Sequence, residues 1–284
     1  MASQSWLLAS AVIGMAATLA MTVIVAHGAP IETLGFFTLI GTLFSLARDL
    51  TDLGTSSATC REVTLQPERE SELLGQLLAW RLVPAAILAT GCLALASGRG
   101  NALESGLLAA SGFVVFLSFN NGLFAVFQLR QRQSIPAAIN IGVNLAVIVS
   151  AAFILLTSQN PMLFVVLILA REFVAIGLNR FFALRLIPAA PAVVAAYRRM
   201  REWLSGPLSA YAVAAMAWHL MLNSGVFLVD QLQSGERLGA YGAAFRLATP
   251  LFGIGWLLTA PLVPVFALAL ARSGGLIVLK LTWL

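Results

Sequence analysis

At 284 residues, with 60% hydrophobic and only 10% charged side chains, the chain is excluded from the water-soluble globules, which carry about a quarter charged residues. Its net charge of +5 comes from 16 arginines and one lysine against 12 acids. No basic run is interleaved with aromatics, so nucleic acid is excluded as a partner, and the positive charge is assigned to the cytoplasmic loops of a membrane protein.

Met1 to Ser5 contain no lysine or arginine, and Trp6–Ala26 runs 21 uncharged residues. That is longer than a signal-peptide core, so it reads as an uncleaved first helix, although Ala26-His27-Gly28 loosely matches a cleavage site. Further apolar stretches follow at Glu32–Leu53, Leu73–Ala96, Ser105–Phe127, Ile135–Thr157, Pro161–Ala183, Leu204–Val229 and Leu238–Leu270. The expected fold is therefore all-α, a polytopic transmembrane bundle of about eight spans. The last stretch is too long for one straight helix, and Pro250, Pro261 and Pro264 are expected to kink or end it. Cys60 and Cys92 have neither a disulfide framework nor metal-ligand spacing and read as small apolar fillers.

Basic residues alternate from loop to loop. Loops after even-numbered spans hold Arg61, Arg69, Arg130, Arg132, Arg180, Arg185, Arg198, Arg199, Arg201, Arg272 and Lys280; those after odd-numbered spans hold Arg99 and Arg237. The positive-inside rule then places the amino terminus and the even loops in the cytoplasm. The longest of these, Leu184 to Trp203, reads as an amphipathic linker lying at the bilayer surface, with Tyr197-Arg198-Arg199-Met200-Arg201-Glu202-Trp203 near the headgroups. A faint repeat matches Leu34-Gly35-Phe36-Phe37, entering the second span, to Leu238-Gly239-Ala240-Tyr241, entering the eighth. An offset of six spans gives both halves one orientation, a known plan among transporters.

Longer ordered motifs lie around these positions. They are Glu32-Thr33-Leu34-Gly35-Phe36-Phe37, Thr51-Asp52-Leu53-Gly54, Arg61-Glu62-Val63, Pro67-Glu68-Arg69 and Leu78-Ala79-Trp80-Arg81-Leu82. Towards the other end come Arg201-Glu202-Trp203-Leu204-Ser205-Gly206-Pro207, Val229-Asp230 and Gly239-Ala240-Tyr241-Gly242-Ala243-Ala244-Phe245-Arg246-Leu247. In order and spacing the chain resembles the Wzx-type oligosaccharide flippases, polysaccharide exporters of the MOP superfamily. The resemblance implies a two-lobed helical bundle in the bacterial inner membrane. Its lobes would rock about a central cavity that holds a polyprenyl-diphosphate-linked oligosaccharide, alongside other polysaccharide-assembly membrane proteins. It implies a six-helix lobe over residues 1–183, a linker over 184–203 and an incomplete second lobe over 204–284. Family members are considerably longer, so the expectation is a flippase truncated after its eighth helix, with whether it works alone left open.

Such a substrate presents a diphosphate and many hydroxyls, and arginine binds phosphate oxygens bidentately. Arg48, Arg81, Arg171 and Arg246 lie within spans and are the cavity candidates. A charge at mid-span costs at least ~2.5–3.5 kcal/mol, so it is kept only where it faces protein or water. Arg171 is too deep to reach the headgroups. Its neighbour Glu172 projects ~100° away and is expected to meet a different helix. Arg48 and Arg81 either join the cavity or reach the cytoplasmic headgroups. Arg48 and Asp52, four apart on one face, are expected to neutralise each other, leaving Asp49 in need of another partner. Asp52, Gly54 and Pro207 are assigned structural roles. His219 is either a packed, hydrogen-bonded residue or a proton or sugar contact. Asn120, Asn121, Asn140, Asn144 and Asn179 are read as hydrogen-bonding glue between helices.

No metal-ligand spacing, phosphate loop, nucleophile elbow or histidine–carboxylate cluster is present in the sequence, so neither an enzyme nor a cofactor is expected. A coupling ion, H⁺ or Na⁺, acting at Glu172 or Asp49, remains open. The competing readings are a drug or peptidoglycan-precursor exporter of the same superfamily, a membrane-embedded enzyme of glycan assembly, and an inactive remnant. The short expected periplasmic loops argue against the enzyme.

Overall fold

The computed structural model describes residues 2–187, 208–233 and 235–259. Among them all regular structure is helical: α1 (Ala2–Gly28), α2 (Ile31–Asp52), α3 (Thr55–Leu65), a 3-10 turn Pro67–Arg69, α4 (Glu70–Ser97), α5 (Ala102–Leu117), a 3-10 segment Ser118–Leu123, α6 (Phe124–Leu129), α7 (Ser134–Thr157), α8 (Leu163–Leu184), α9 (Leu208–Leu232) and α10 (Gly235–Thr259). By contact the chain divides into a large unit, Met1–Ala243, and a small one, Ala244–Leu284. The described part of the small unit is the second half of α10.

Among the described residues five stretches are long and apolar enough to cross a membrane: Leu8–Gly28, Ile31–Asp52, Pro67–Ser97, Ala102–Leu129 and Ser134–Thr157. The other three of the eight expected spans are helices of similar length that carry more polar groups. These are Arg171, Glu172 and Arg180 in α8, His219 and Asp230 in α9, and Glu236, Arg237 and Arg246 in α10. α10 continues through Pro250 to Thr259 rather than ending at the proline. The expected linker and Pro207, Pro261 and Pro264 lie outside the described residues.

The large unit is organised around α2. That helix is apolar or small on nearly every face and buried along most of its length, as a central helix must be. α4, α5, α8, α9 and the 3-10 segment pack around it, and α1 pairs chiefly with α7. Side chains on the outer faces, Ile87, Phe113, Val149, Phe153 and Leu156 among them, are apolar and exposed.

Local chemistry sets the breaks. Pro30 precedes α2, where its missing N–H costs nothing, and Glu32 follows in the first turn, where the helix dipole favours a carboxylate. α2 ends at two left-handed residues, Leu53 (φ 42°) and Gly54 (φ 78°). Glycine takes that conformation without penalty, whereas Leu53 is strained there, so Gly54 is what lets the chain turn back into α3. The eleven residues of α3 fill most of the loop after the second stretch. The fourth stretch is interrupted. Ser118-Phe119-Asn120-Asn121-Gly122-Leu123 tightens into 3-10 geometry, because Ser, Asn and Gly are poor helix formers whose side chains or backbone prefer other bonds.

Small residues bring helices close. A Cβ on Gly112 of α5 would lie 3.2 Å from the Ala89 carbonyl of α4. A Cβ on Gly35 of α2 would lie 2.8 Å from the Gly239 backbone nitrogen of α10, and Gly242 faces Thr38. The two tetrapeptides matched in the sequence thus touch each other. Around this crossing lies one end of the unit, where α1 meets α2, α4 meets α5, and α9 meets α10.

Candidate functional site

Polar side chains inside the large unit form a string of separate contacts between helices. Near the turn ending α2, the Arg81 side chain of α4 is only 2% exposed. Its Nη2 donates to Asp52 of α2 and, at 2.7 Å, to Ser56 Oγ of α3. Gly122 of the 3-10 segment makes room for it: a Cβ there would lie 3.0 Å from Arg81 Cδ and 3.3 Å from Nε. The Nε itself has no hydrogen-bond partner. The break in the fourth stretch and the buried arginine are therefore one feature.

This corrects the expectation that Arg48 neutralises Asp52. The Asp52 carboxylate is engaged from another helix, and Arg48 lies exposed on α2. The Arg81 fork is held inside the protein by Asp52 and Ser56 and does not extend to the surface.

The second contact completes Asp49. Its Oδ2 lies 2.9 Å from His219 Nδ1 of α9, with both side chains about a third exposed (30% and 28%). Ser45, one turn earlier, also hydrogen-bonds to Asp49.

The third contact lies in α7 and α8. Arg171 Nε donates to Asn144 Oδ1 of α7 at 3.1 Å, and its Nη1 pairs with Glu172. The expectation that Glu172 meets a different helix is thereby overturned: the arginine stem is long enough to fold back across the ~100° between successive positions. The Arg171 side chain remains 25% exposed. One helical turn or more beyond, Arg180 Nη1 donates to Asn120 Oδ1 of the 3-10 segment at 2.7 Å.

Arg246, the fourth candidate, belongs to the small unit and is half-buried. Among the described residues Arg81 has a carboxylate and a hydroxyl partner, and Arg171 a carboxylate and an amide. They contribute to two neutralised contacts and not to one open cluster of positive charge.

Two further contacts carry no spacing signal in the sequence. At the glycine-crossing end, Arg99 Nη2 donates to both oxygens of Asp230 at 2.5 Å, and Glu104 stands 3.9 Å from Arg99. The Asp230 side chain is 2% exposed. At the opposite end Arg130 Nη2 donates to Glu70 at 2.8 Å and its Nε to the Leu186 carbonyl. Nearby, the Cys60 thiol of α3 donates to Gln128 Oε1 at 3.2 Å. Burial and then the Asp52 charge push this thiol above its ordinary value. Cys60 is a hydrogen-bonded thiol and Cys92 a buried one.

No group of three or more His, Cys, Asp or Glu side chains suited to a metal ion occurs among the described residues. The arrangement holds helices together through charges of balanced sign and leaves an apolar exterior. No protein-family model matches the chain, and neither does any curated protein or solved structure.

Proposed function

We propose that the chain is a multi-pass transporter of the bacterial inner membrane, with eight helices crossing the bilayer and a cytoplasmic amino terminus. Its substrate is a polyprenyl-diphosphate-linked oligosaccharide, flipped towards the periplasm for surface polysaccharide. The observation that carries this reading is Arg81, a guanidinium 2% exposed within an apolar helix. Such a group is tolerated only where protein supplies its partners, and here two helices do. The alternation of basic loops supports the orientation. The ordered motifs from Glu32 to Leu82 and from Arg201 to Leu247 support the substrate class.

Arg171 is the residue of this set best suited to meet a diphosphate. Its fork is part-exposed, and the Glu172 and Asn144 contacts are exchangeable for phosphate oxygens. Glu172 would then be freed as the arginine turns to substrate.

Deleting the gene and sizing the cell's lipid-linked glycans, with their leaflet determined, tests the reading. Complete oligosaccharide trapped on the cytoplasmic leaflet is expected. Shortened glycans would transfer the role to an assembly enzyme. An unchanged pool with altered drug tolerance would transfer it to drug export. Complementation with Arg171→Ala should leave the protein inserted and export abolished; normal surface polysaccharide in that strain removes Arg171 from the site.

A further inference from the structure

The contact between Asp49 and His219 differs in kind from the other carboxylate pairs because its cationic partner is a histidine, the side-chain type whose ordinary charge change lies nearest neutral pH. We infer that Asp49 and His219 form a proton-binding site joining α2 to α9, at which one bound proton holds the helices together and its loss loosens them. The site rests on geometry; its use in coupling transport rests on the function proposed above.

In the tautomer whose Nδ1–H donates to Asp49 Oδ2 at 2.9 Å, the added proton enters at Nε2. The bound state is then an ion pair of zero net charge. Losing the proton leaves a neutral imidazole against a carboxylate: the hydrogen bond survives, but a charge-assisted bond is about twice as strong as a neutral one. The Asp49 charge is then offset only from its own helix, by Arg48, and no longer across the interface from α9. Both side chains are about a third exposed, so protein does not seal the site.

Among the described residues no second cation reaches Asp49 from another helix; Arg48, which bears on it more strongly than His219 does, lies beside it on α2 and cannot tie that helix to α9. Arg48 and Asp52 on α2 bear on Asp49 with opposite signs, and Ser45 hydrogen-bonds to it. From α4, Arg81 is committed to Asp52. From α8, Arg171 and Glu172 are paired. From α5, Glu104 stands by Arg99, and His27 of α1 bonds its own helix at the Val23 carbonyl. On α9 itself, Asp230 is held by Arg99.

That last pair gives the motion a direction. Arg99–Asp230 and the glycine crossing fix α9 and α10 at one end. Asp230 lies eleven residues beyond His219, or ~16 Å along the helix. Loosening at His219 therefore lets α9 swing about its anchored end, opening the unit at the end where α3 and the start of α9 lie.

The test is a distance measurement on the full chain in lipid nanodiscs without substrate. Spin labels are placed at the exposed positions Leu65 of α3 and Val213 of α9, after Cys60→Ser and Cys92→Ala. The expected result is a longer distance at about pH 8.5 than at about pH 5.5, the range over which histidine changes charge. His219→Gln and Asp49→Asn should abolish that shift, while His27→Gln keeps it. A native chain whose distance does not change with pH overturns the proposal. So does a shift that persists in His219→Gln, which would place the sensor elsewhere. Because no substrate is involved, failure of the glycan reading leaves this result intact. A pH-sensitive distance beside an unaltered glycan pool would mean a proton-linked transporter of something else.

Discussion

Asp49 and Asp52 sit three residues apart on the same helix and have opposite fates. Asp52 is met by Arg81, an arginine 2% exposed that keeps its charge at every physiological pH, with a serine beside it and a glycine cut away to admit it. Asp49 is met by a histidine in a contact about a third exposed on both sides. The same carboxylate chemistry thus gives a permanent tie within the first helices and a conditional one to α9. The identity and burial of the partner decide which.

The largest expected effect comes from breaking the permanent tie. Asp52→Ala leaves Arg81 buried without its countercharge; because Asp52 itself is 42% exposed, a loss of about 2 kcal/mol, below that of a fully buried pair, is expected, read as the unfolding free energy in detergent micelles. Adding Arg81→Met should recover most of that loss, because the buried charge is then gone as well. A double variant as unstable as the single would show the pair to be worth more than its desolvation.

Gly122→Ala strikes the same region through space alone. Its Cβ would press on Arg81 and Leu78 at 3.0–3.3 Å, costing about 1–2 kcal/mol if the arginine cannot shift. An unchanged melting temperature would mean that the arginine moves freely, weakening the contrast drawn above. Asp49→Asn should cost less than about 1 kcal/mol, as for other part-exposed pairs, although it removes the pH response of the helix spacing.

The smallest effect is a report on charge. The Asp52 carboxylate contributes to raising the Cys60 thiol, so less of it is thiolate at a given pH. With Cys92→Ala as background, Asp52→Asn should raise the rate of Cys60 alkylation at neutral pH by less than about tenfold, one pKa unit being a factor of ten. An unchanged rate would mean that the Asp52 charge does not bear on the thiol.

The sequence announces helices more readily than contacts. The apolar stretches are legible because their length and periodic content do not depend on neighbours, and helical structure fills nearly all of the described part of each of the eight. The 3-10 segment is visible in hindsight in Ser118-Phe119-Asn120-Asn121-Gly122, a poor helix former inside an apolar stretch. Its purpose is not, because Arg81 comes from another helix. Pairings fail at the same point. Arg48 and Asp52 are well spaced for each other, yet Asp52 is captured from 29 residues away by Arg81, and Arg99 finds Asp230 across 131. One-dimensional spacing predicts partners only while both stay on one helix, and buried charges recruit across helices. Asp49's need of a partner was legible; which residue answered it was not.

The meeting of Gly35 with Gly239 has a further consequence. A Cβ on Gly35 would lie 2.8 Å from the Gly239 backbone nitrogen, and one on Gly239 would run into the Ile31 carbonyl. Backbone there packs directly on backbone, with no side chain between to change rotamer. The crossing therefore has a single spacing, and α2 and the start of α10 can move only as one piece at that point.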